Sequence, residues 1–264
     1  MELDGRPHYL LVTEDVSERK RVDRLKNEFI ATVSHEIRTP LTSISGSLSL
    51  LTGGVAGEMP ESAQRLLSIA EANSDRLVRL VNDILDLEKI ESGEMVFRNQ
   101  MIELNAVAEQ ALTINQAYGD QYGVRFKLTH QEPGAMVNAD RDRLDQVFAN
   151  LLSNAAKFSP RDGDVEVAVS RHNGMIRTAV TDHGPGIPEE FRDRIFEKFT
   201  QADSSDARRI KGTGLGLSIV KKIVEQMDGV VGCEPNTSEG TTIYFDLPDS
   251  RARDPAGDAH TPGD

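Results

Sequence analysis

The chain has one cysteine and no tryptophan, and its only other aromatic residues are nine phenylalanines and four tyrosines. A lone Cys233 cannot form an internal disulfide, and no Cys/His cluster has zinc-ligand spacing. A disulfide scaffold and a structural zinc site are therefore excluded, and a reducing cytoplasm fits. No run approaches the roughly 20 consecutive apolar residues of a membrane helix, and the N-terminus lacks the apolar segment of a signal peptide. Basic residues are also scarce: 30 against 43 acidic ones, a formal charge of -13. Such a chain repels nucleic acid and anionic membrane surfaces. The 264 residues, 38% of them apolar, are enough for two modest cores. The expectation is a cytoplasmic protein, either soluble or the cytoplasmic portion of a larger sensor whose membrane segments are absent from this sequence.

The opening residues read as a fragment. Tyr9 to Thr13 (YLLVT) has strand character with no partner before it, and a charged helical run follows. From about Val22 to Leu51 the apolar period is helical, with Ile30, Val33, Ile37, Leu41, Ile44, Leu48 and Leu51 on one side. TGGVAGEMP (52–60) is a loop. Leu66, Ile69, Leu77, Leu80, Ile84 and Leu87 then trace a second stripe up to Ser92-Gly93. Two helices alone bury too little, so a second copy completing a four-helix bundle is expected. Beyond Gly93 strands are expected at Val124–Thr129, Val165–Ser170, Met175–Asp182 and Thr242–Leu247. Helices are expected at Glu103–Tyr118, Arg141–Phe158 and Leu215–Met227. The pattern is α+β: a helical hairpin followed by an α/β sandwich. The segment after Pro248 has no apolar period and is expected to be disordered.

Of six histidines, His35 is set apart by position. Helical geometry puts it about 160° from the apolar stripe, so its imidazole is expected to face solvent or a docking partner. Thr39 shares its face one turn on, and the adjacent Glu36 is a carboxylate able to orient the ring or take its proton. Pro40 cannot donate to the carbonyl of Glu36, so a bend is expected there.

A second set of residues has the chemistry of a nucleotide site. Asn150, Asn154 and Lys157 lie along one edge of the Arg141–Phe158 helix, beside the apolar Leu144, Val147, Leu151 and Ala155. An amide oxygen can occupy one position around Mg²⁺, and a lysine can meet phosphate charge. Asp182-His-Gly184-Pro-Gly186-Ile187-Pro188 follows a strand: its carboxylate can accept from an adenine amino group while the glycines let a ring lie close. Lys211-Gly212-Thr213-Gly214-Leu215-Gly216-Leu217 opens into an apolar helix and offers phosphate a helix N-terminus. It is neither the phosphate loop of P-loop enzymes nor a dinucleotide fingerprint. Between these, a segment starting at Phe196 and Phe199 and ending at Arg208, Arg209 and Lys211 has the makings of a lid.

Each feature alone is common, but their order resembles the catalytic core of two-component sensor histidine kinases. SHEIRTPLTSI (34–44) resembles the phosphoacceptor box, NLLSNAAKF (150–158) the asparagine box, and DHGPGIP (182–188) the first glycine box. FEKF (196–199) resembles the phenylalanine box, GTGLGLSIV (212–220) the second glycine box and EGTTIYFDLP (239–248) the closing strand. The resemblance implies the boundaries 1–21 for a PAS-like end and signalling-helix start, 22–93 for a dimerising phosphotransfer hairpin, 94–249 for an ATP-binding domain and 250–264 for a tail. It implies that His35 accepts the phosphoryl group with Glu36 as base, and that Thr39 helps water dephosphorylate the partner. It further implies that Asn154 binds Mg²⁺ with Asn150 beside it, that Lys157 meets phosphate and Asp182 reads adenine. Gly184, Gly186, Ile187, Gly212, Thr213, Gly214, Leu215, Gly216 and Leu217, with Phe158, Phe199, Arg208, Arg209 and Lys211, would shape pocket and lid, and Thr241 the pocket floor. Cofactors ATP and Mg²⁺, a homodimer and a response-regulator receiver domain are implied with them. Because the phosphoacceptor and the nucleotide would lie in separate domains joined near Ser92-Gly93, relative movement would gate transfer. Gyrase- and chaperone-type ATPases share the nucleotide fold but have no phosphoacceptor hairpin. A non-catalytic nucleotide-binding scaffold is the other rival.

Overall fold

A computed structural model of the chain describes residues 2–3, 6–7, 17–55, 57, 59–200, 213–235 and 240–251, with side chains from residue 30 on except 31, 34, 35 and 235. Two compact units result, Met1–Ser92 and Gly93–Asp264. The strand expected at Tyr9–Thr13 and the tail from residue 252 lie outside the described residues.

In the first unit, two short strands, β1 (Glu2–Leu3) and β2 (Arg6–Pro7), pair antiparallel. They are followed by α1 (Ser17–Thr52) and α2 (Glu61–Glu91). Helix α1 begins at Ser17, within the charged helical run, and continues through Pro40. A polar ladder joins the two helices. Arg38 donates to Asn82 Oδ1 (2.7 and 3.0 Å), Ser45 to Asp75, and Ser49 and Thr52 to Glu71 (2.5 and 3.0 Å). The donors, at positions 38, 45, 49 and 52, keep the spacing of one helical face. The single stripe expected on α1 therefore divides. Leu41 and Leu48 are half-buried, whereas Ile37 and Ile44 stay 41% and 50% exposed. On α2, Leu66, Ile69 and Leu77 are likewise exposed, while Val81, Leu85, Leu87 and Ile90 are buried.

The second unit is a two-layer sandwich. Its main sheet has five strands in the order β4 (Arg125–His130), β6 (Asp164–His172), β7 (Met175–Asp182), β9 (Thr241–Pro248), β8 (Val230–Pro235). β4 runs parallel to β6, and the other pairings are antiparallel. A small sheet pairs β3 (Gln100–Glu103) with β5 (Met136–Ala139). Three helices cover the sheet: α3 (Leu104–Tyr122), α4 (Arg141–Phe158) and α6 (Gly216–Glu225), while α5 is one turn (Glu189–Arg192). On the inner face Val165, Val167, Val169, Ile176, Val180, Phe245 and Leu247 meet Leu144, Val147, Phe148, Leu151, Ile219 and Ile223, all buried. The Phe148 and Phe245 rings cross edge to face with centroids 5.8 Å apart.

Local chemistry fixes the helix ends that matter. Glu103 accepts from the backbone N–H of Ala106 (2.8 Å) and starts α3, which ends at Gly123 in the left-handed region. Asp140 accepts from the N–H of Arg143 (3.2 Å) and of Arg98 (2.7 Å), so one buried carboxylate starts α4 and holds the incoming strand. On the uncovered face, Arg177 donates to both oxygens of Asp246 (2.8 and 2.9 Å) and to Glu234 (3.0 Å). Its guanidinium lies 3.7 Å from the centre of the Tyr244 ring. Three strands, β7, β9 and β8, are thereby tied together by charge rather than by a second apolar layer.

Candidate nucleotide site and phosphoacceptor helix

Helix α4 brings the asparagine edge and the end of β7 together. Asp182, the last residue of β7, is 7% exposed and pairs across the sheet with Thr241, the first of β9. Gly184 donates its backbone N–H to Asp182 Oδ1 (2.9 Å), and the N–H of Thr241 also bonds the carboxylate. Burial nevertheless raises the Asp182 pKa above the usual carboxylate range; those two hydrogen bonds and nearby His183 only partly oppose it. This acceptor sits at a strand end where burial disfavours its charged form, a cost that a ligand donor would offset.

The glycines around Asp182 are there because backbone approaches backbone. A Cβ on Gly184 would stand 2.4 Å from the carbonyl oxygen of Phe158, the last residue of α4. Gly186 has φ +79°. Gly240, which motif reading did not single out, has φ +109°, and a Cβ there would lie 2.1 Å from the Asp182 carbonyl oxygen. Thr181 and Thr242, whose hydroxyls are 2.9 Å apart, are one residue out of phase with Asp182 and Thr241 and so join β7 to β9 on the other face of the sheet. Gly240 carries no sequence signal beyond that of a glycine preceding a strand.

The second glycine box closes the other side. Phe199, at φ +61°, donates its N–H to the Gly214 carbonyl (2.8 Å), bringing both stems of the intervening segment together. Thr213 Oγ1 accepts the N–H of Leu215 (3.3 Å) just before α6. Leu215 itself is fully buried and so serves packing, with Gly216 and Leu217 half-buried beside it. Arg208, Arg209, Lys211 and Gly212 lie outside the described residues. Ile187 is half-buried, its carbonyl accepting from Arg192 (3.3 Å), and Phe158 is 40% exposed.

Along the edge of α4, the two asparagines differ. Asn150 donates through Nδ2 to the Gln146 carbonyl (3.1 Å), and its Oδ1 abuts Gly216. Asn154 is half-buried and its amide makes no hydrogen bond among the described residues, so its oxygen is available to a hard cation. Lys157 extends with its Nζ 6.0 Å from the centre of the Tyr118 ring. Among the described residues no cluster of three His, Cys, Asp or Glu could hold a metal, so any cation here must be shared with a ligand's oxygens. In the first unit, α1 carries His35, whose side chain lies outside the described residues. Glu36 and Thr39 on either side of it are exposed. Among the described residues no helix is long and apolar enough to cross a membrane.

A buried carboxylate ending a strand, an asparagine-edged helix and a glycine-led helix define an ATP-binding sandwich. Comparison with known proteins makes the class specific. Residues 139–251 match the family of histidine kinase-, DNA gyrase B- and HSP90-like ATPases, and residues 25–93 match the His kinase A phospho-acceptor domain. The chain is 34% identical over 249 residues to the sensor histidine kinase WalK of Bacillus subtilis, covering 94% of this chain and 40% of that protein. Its structure is similar to that of full-length ShkA in complex with AMPPNP, with a TM-score of 0.68 and 29% identity, covering 84% of this chain and 45% of the other. It is also similar to histidine kinase ThkA in complex with the response regulator protein TrrA, with a TM-score of 0.62 and 28% identity, covering 91% and 69%. The chain belongs to the two-component sensor histidine kinases, whose catalytic core it contains. It spans about two fifths of the length of its Bacillus relative. The gyrase- and chaperone-type alternative falls away because the phospho-acceptor domain is present beside the ATPase.

Proposed function

We propose that this chain binds Mg²⁺-ATP between α4, the Asp182 end of β7 and the start of α6, and transfers the γ-phosphoryl group to His35. The observation that carries the reading is the buried Asp182 carboxylate at a strand end, beside the C-terminal end of the asparagine-edged α4, in a chain that also matches a phospho-acceptor domain. Asp182 accepts from the adenine amino group, and Asn154 supplies an amide oxygen to the magnesium ion. The bound cation neutralises triphosphate charge, as phosphoryl transfer requires. Lys157 meets phosphate, and Arg208, Arg209 and Lys211 approach it from the lid. A neutral His35 imidazole nitrogen forms the new P–N bond as the bond to the ADP oxygen breaks, and Glu36 takes the imidazole proton. Little covalent work falls to the protein, so alignment governs the rate.

The phosphoryl group then passes to an aspartate of a response-regulator receiver, a partner class supported by the ThkA–TrrA complex. Thr39, exposed one turn beyond His35, fits the removal of that group from the regulator by water. Exposed Ile37, Ile44, Leu66, Ile69 and Leu77 leave the hairpin with an uncovered apolar surface, which a second copy would cover as a four-helix bundle. Incubation with γ-labelled ATP and Mg²⁺ tests the reading. Acid-labile, base-stable label should appear on the wild type and be absent from His35→Gln. Nucleotide turnover untouched by that substitution would mark an ATPase instead, and nucleotide binding without either would mark a scaffold.

A further inference from the structure

We infer that Asn150 is a positioning residue: it sets the spacing between α4 and the phosphate-facing start of α6, rather than contacting the magnesium ion. The inference rests on the nucleotide reading above and divides labour within it. The amide of Asn150 is tethered at its nitrogen, which directs its oxygen toward α6. Its Nδ2 donates to the Gln146 carbonyl one turn back (3.1 Å), which fixes the side-chain rotamer along the helix edge. Its Oδ1 then points across to α6, where a Cβ added to Gly216 would come within 2.9 Å of Oδ1 and 3.5 Å of Cγ. Gly216 is the first residue of α6, and φ there is not in the left-handed region, so what a side chain at 216 would have to displace is the Asn150 amide and not the backbone. α4 and α6 are in contact, and Leu151, Ile219 and Ile223 on them are buried. The amide is therefore the polar stop at one end of an otherwise apolar interface. It determines how closely the N–H groups that open α6 approach the phosphates. Asn154, one turn further on, has no such tether among the described residues and is left for the cation.

The geometry makes a reciprocal prediction. Gly216→Ala should force the tethered amide aside or push α6 away, weakening ADP and ATP-analogue binding by roughly tenfold, the scale of a small overpacking cost. Asn150→Ala vacates the space that a Cβ at 216 would need, so the double variant Asn150→Ala/Gly216→Ala should bind nucleotide more tightly than Gly216→Ala alone and melt at a higher temperature. Isothermal titration calorimetry on the full chain, with and without Mg²⁺, provides the second readout. In Asn150→Ala the ratio of the two dissociation constants should stay at its wild-type value, whereas Asn154→Ala should collapse that ratio toward one. Two results would overturn the positioning role alone: a double variant no better than Gly216→Ala, or loss of the magnesium effect in Asn150→Ala. A wild-type chain that fails to bind ADP or ATP analogues would remove the nucleotide reading and this inference with it.

Discussion

Gly184→Ala perturbs the point where the nucleotide floor meets the end of α4, and its consequence can be worked from distances. The added Cβ would sit 2.4 Å from the Phe158 carbonyl oxygen, 3.0 Å from its carbonyl carbon and 3.0 Å from Asp182 Oδ1. An ordinary carbon–oxygen approach is about 3.3 Å or more, so the overlap falls on backbone atoms that no rotamer change can move. Overpacking of this kind costs about 1–3 kcal/mol. Against it stands a gain of about 0.4–1 kcal/mol, because alanine restricts the unfolded chain. The balance is a destabilisation of about 1–2 kcal/mol, which for a unit of this size lowers the melting temperature by roughly 2–8 °C. The same displacement strains the hydrogen bond from Gly184 to Asp182, so nucleotide affinity should fall about tenfold, the worth of one hydrogen bond to a charged group. Scanning calorimetry of the full chain, following the transition that nucleotide shifts, provides the first number and titration with ADP the second. Gly174→Ala is the control. Gly174 sits in the β6–β7 turn with φ +77° and nothing within 4 Å of an added Cβ. It should cost only the conformational penalty of about 1–2 kcal/mol and leave nucleotide affinity alone. A Gly184→Ala chain with unchanged melting temperature and unchanged affinity would refute the reasoning.

Other outcomes follow from the same coordinates. Asp182→Asn should weaken adenine nucleotides by roughly 10- to 100-fold in calorimetric titration, since the hydrogen bond lost is to a charged acceptor. Because burial raises the Asp182 pKa above 3.8, nucleotide affinity should begin to fall, as pH is lowered, before ordinary carboxylates titrate. For the empty fold the sign is opposite: the contribution of this group to stability is present below pH 3.8 and lost as pH rises through the raised value, which a pH series of melting curves would show. Asp246→Ala should destabilise the chain by about 1–3 kcal/mol in urea, since it strands a guanidinium that is largely covered. Glu234→Ala, whose side chain is 58% exposed, should cost less than about 1 kcal/mol. Ile44→Asp should shift the chain toward monomer in sedimentation equilibrium and leave ADP affinity as in the wild type, because residue 44 lies on the exposed face of the hairpin.

The elements that sequence periodicity reveals are those with enough turns or alternation to average over. α4 and β7 occur with the expected bounds, Arg141–Phe158 and Met175–Asp182: α4 carries an apolar helical period, and β7 is a β-branched run set off by Gly174 and by the glycines after Asp182. β3, β5 and β8 escape the same reading. QMIE and MVNA are too short for a period of two to stand out, and VVGCEP is interrupted by Gly232 and Pro235. α3 runs past its expected end to Tyr122, through Gly119, where the Phe126 ring leaves no room for a Cβ (2.9 Å), and ends at the left-handed Gly123. On α1 the stripe was visible, but its division into a half facing α2 and a half left exposed was not, because the polar partners Asn82, Asp75 and Glu71 lie on another helix. The site shows the same boundary. Asp182 and its flanking glycines stand out as a motif, whereas the closeness of Gly240 to Asp182 and of Asn150 to Gly216 joins residues more than fifty positions apart and exists only once the sheet and helices have packed.

The central claim is that ATP phosphorylates the chain on His35. Peptide mapping under alkaline conditions after incubation with Mg²⁺-ATP tests it most directly, because trypsin releases Asn27 to Arg38 as one fragment containing that residue. The account predicts base-stable phosphate on this fragment, localised to His35, and much less of it on an Asp182→Asn chain at sub-saturating ATP. Phosphate on another of the six histidines, or none on this fragment while ATP is consumed, would contradict it.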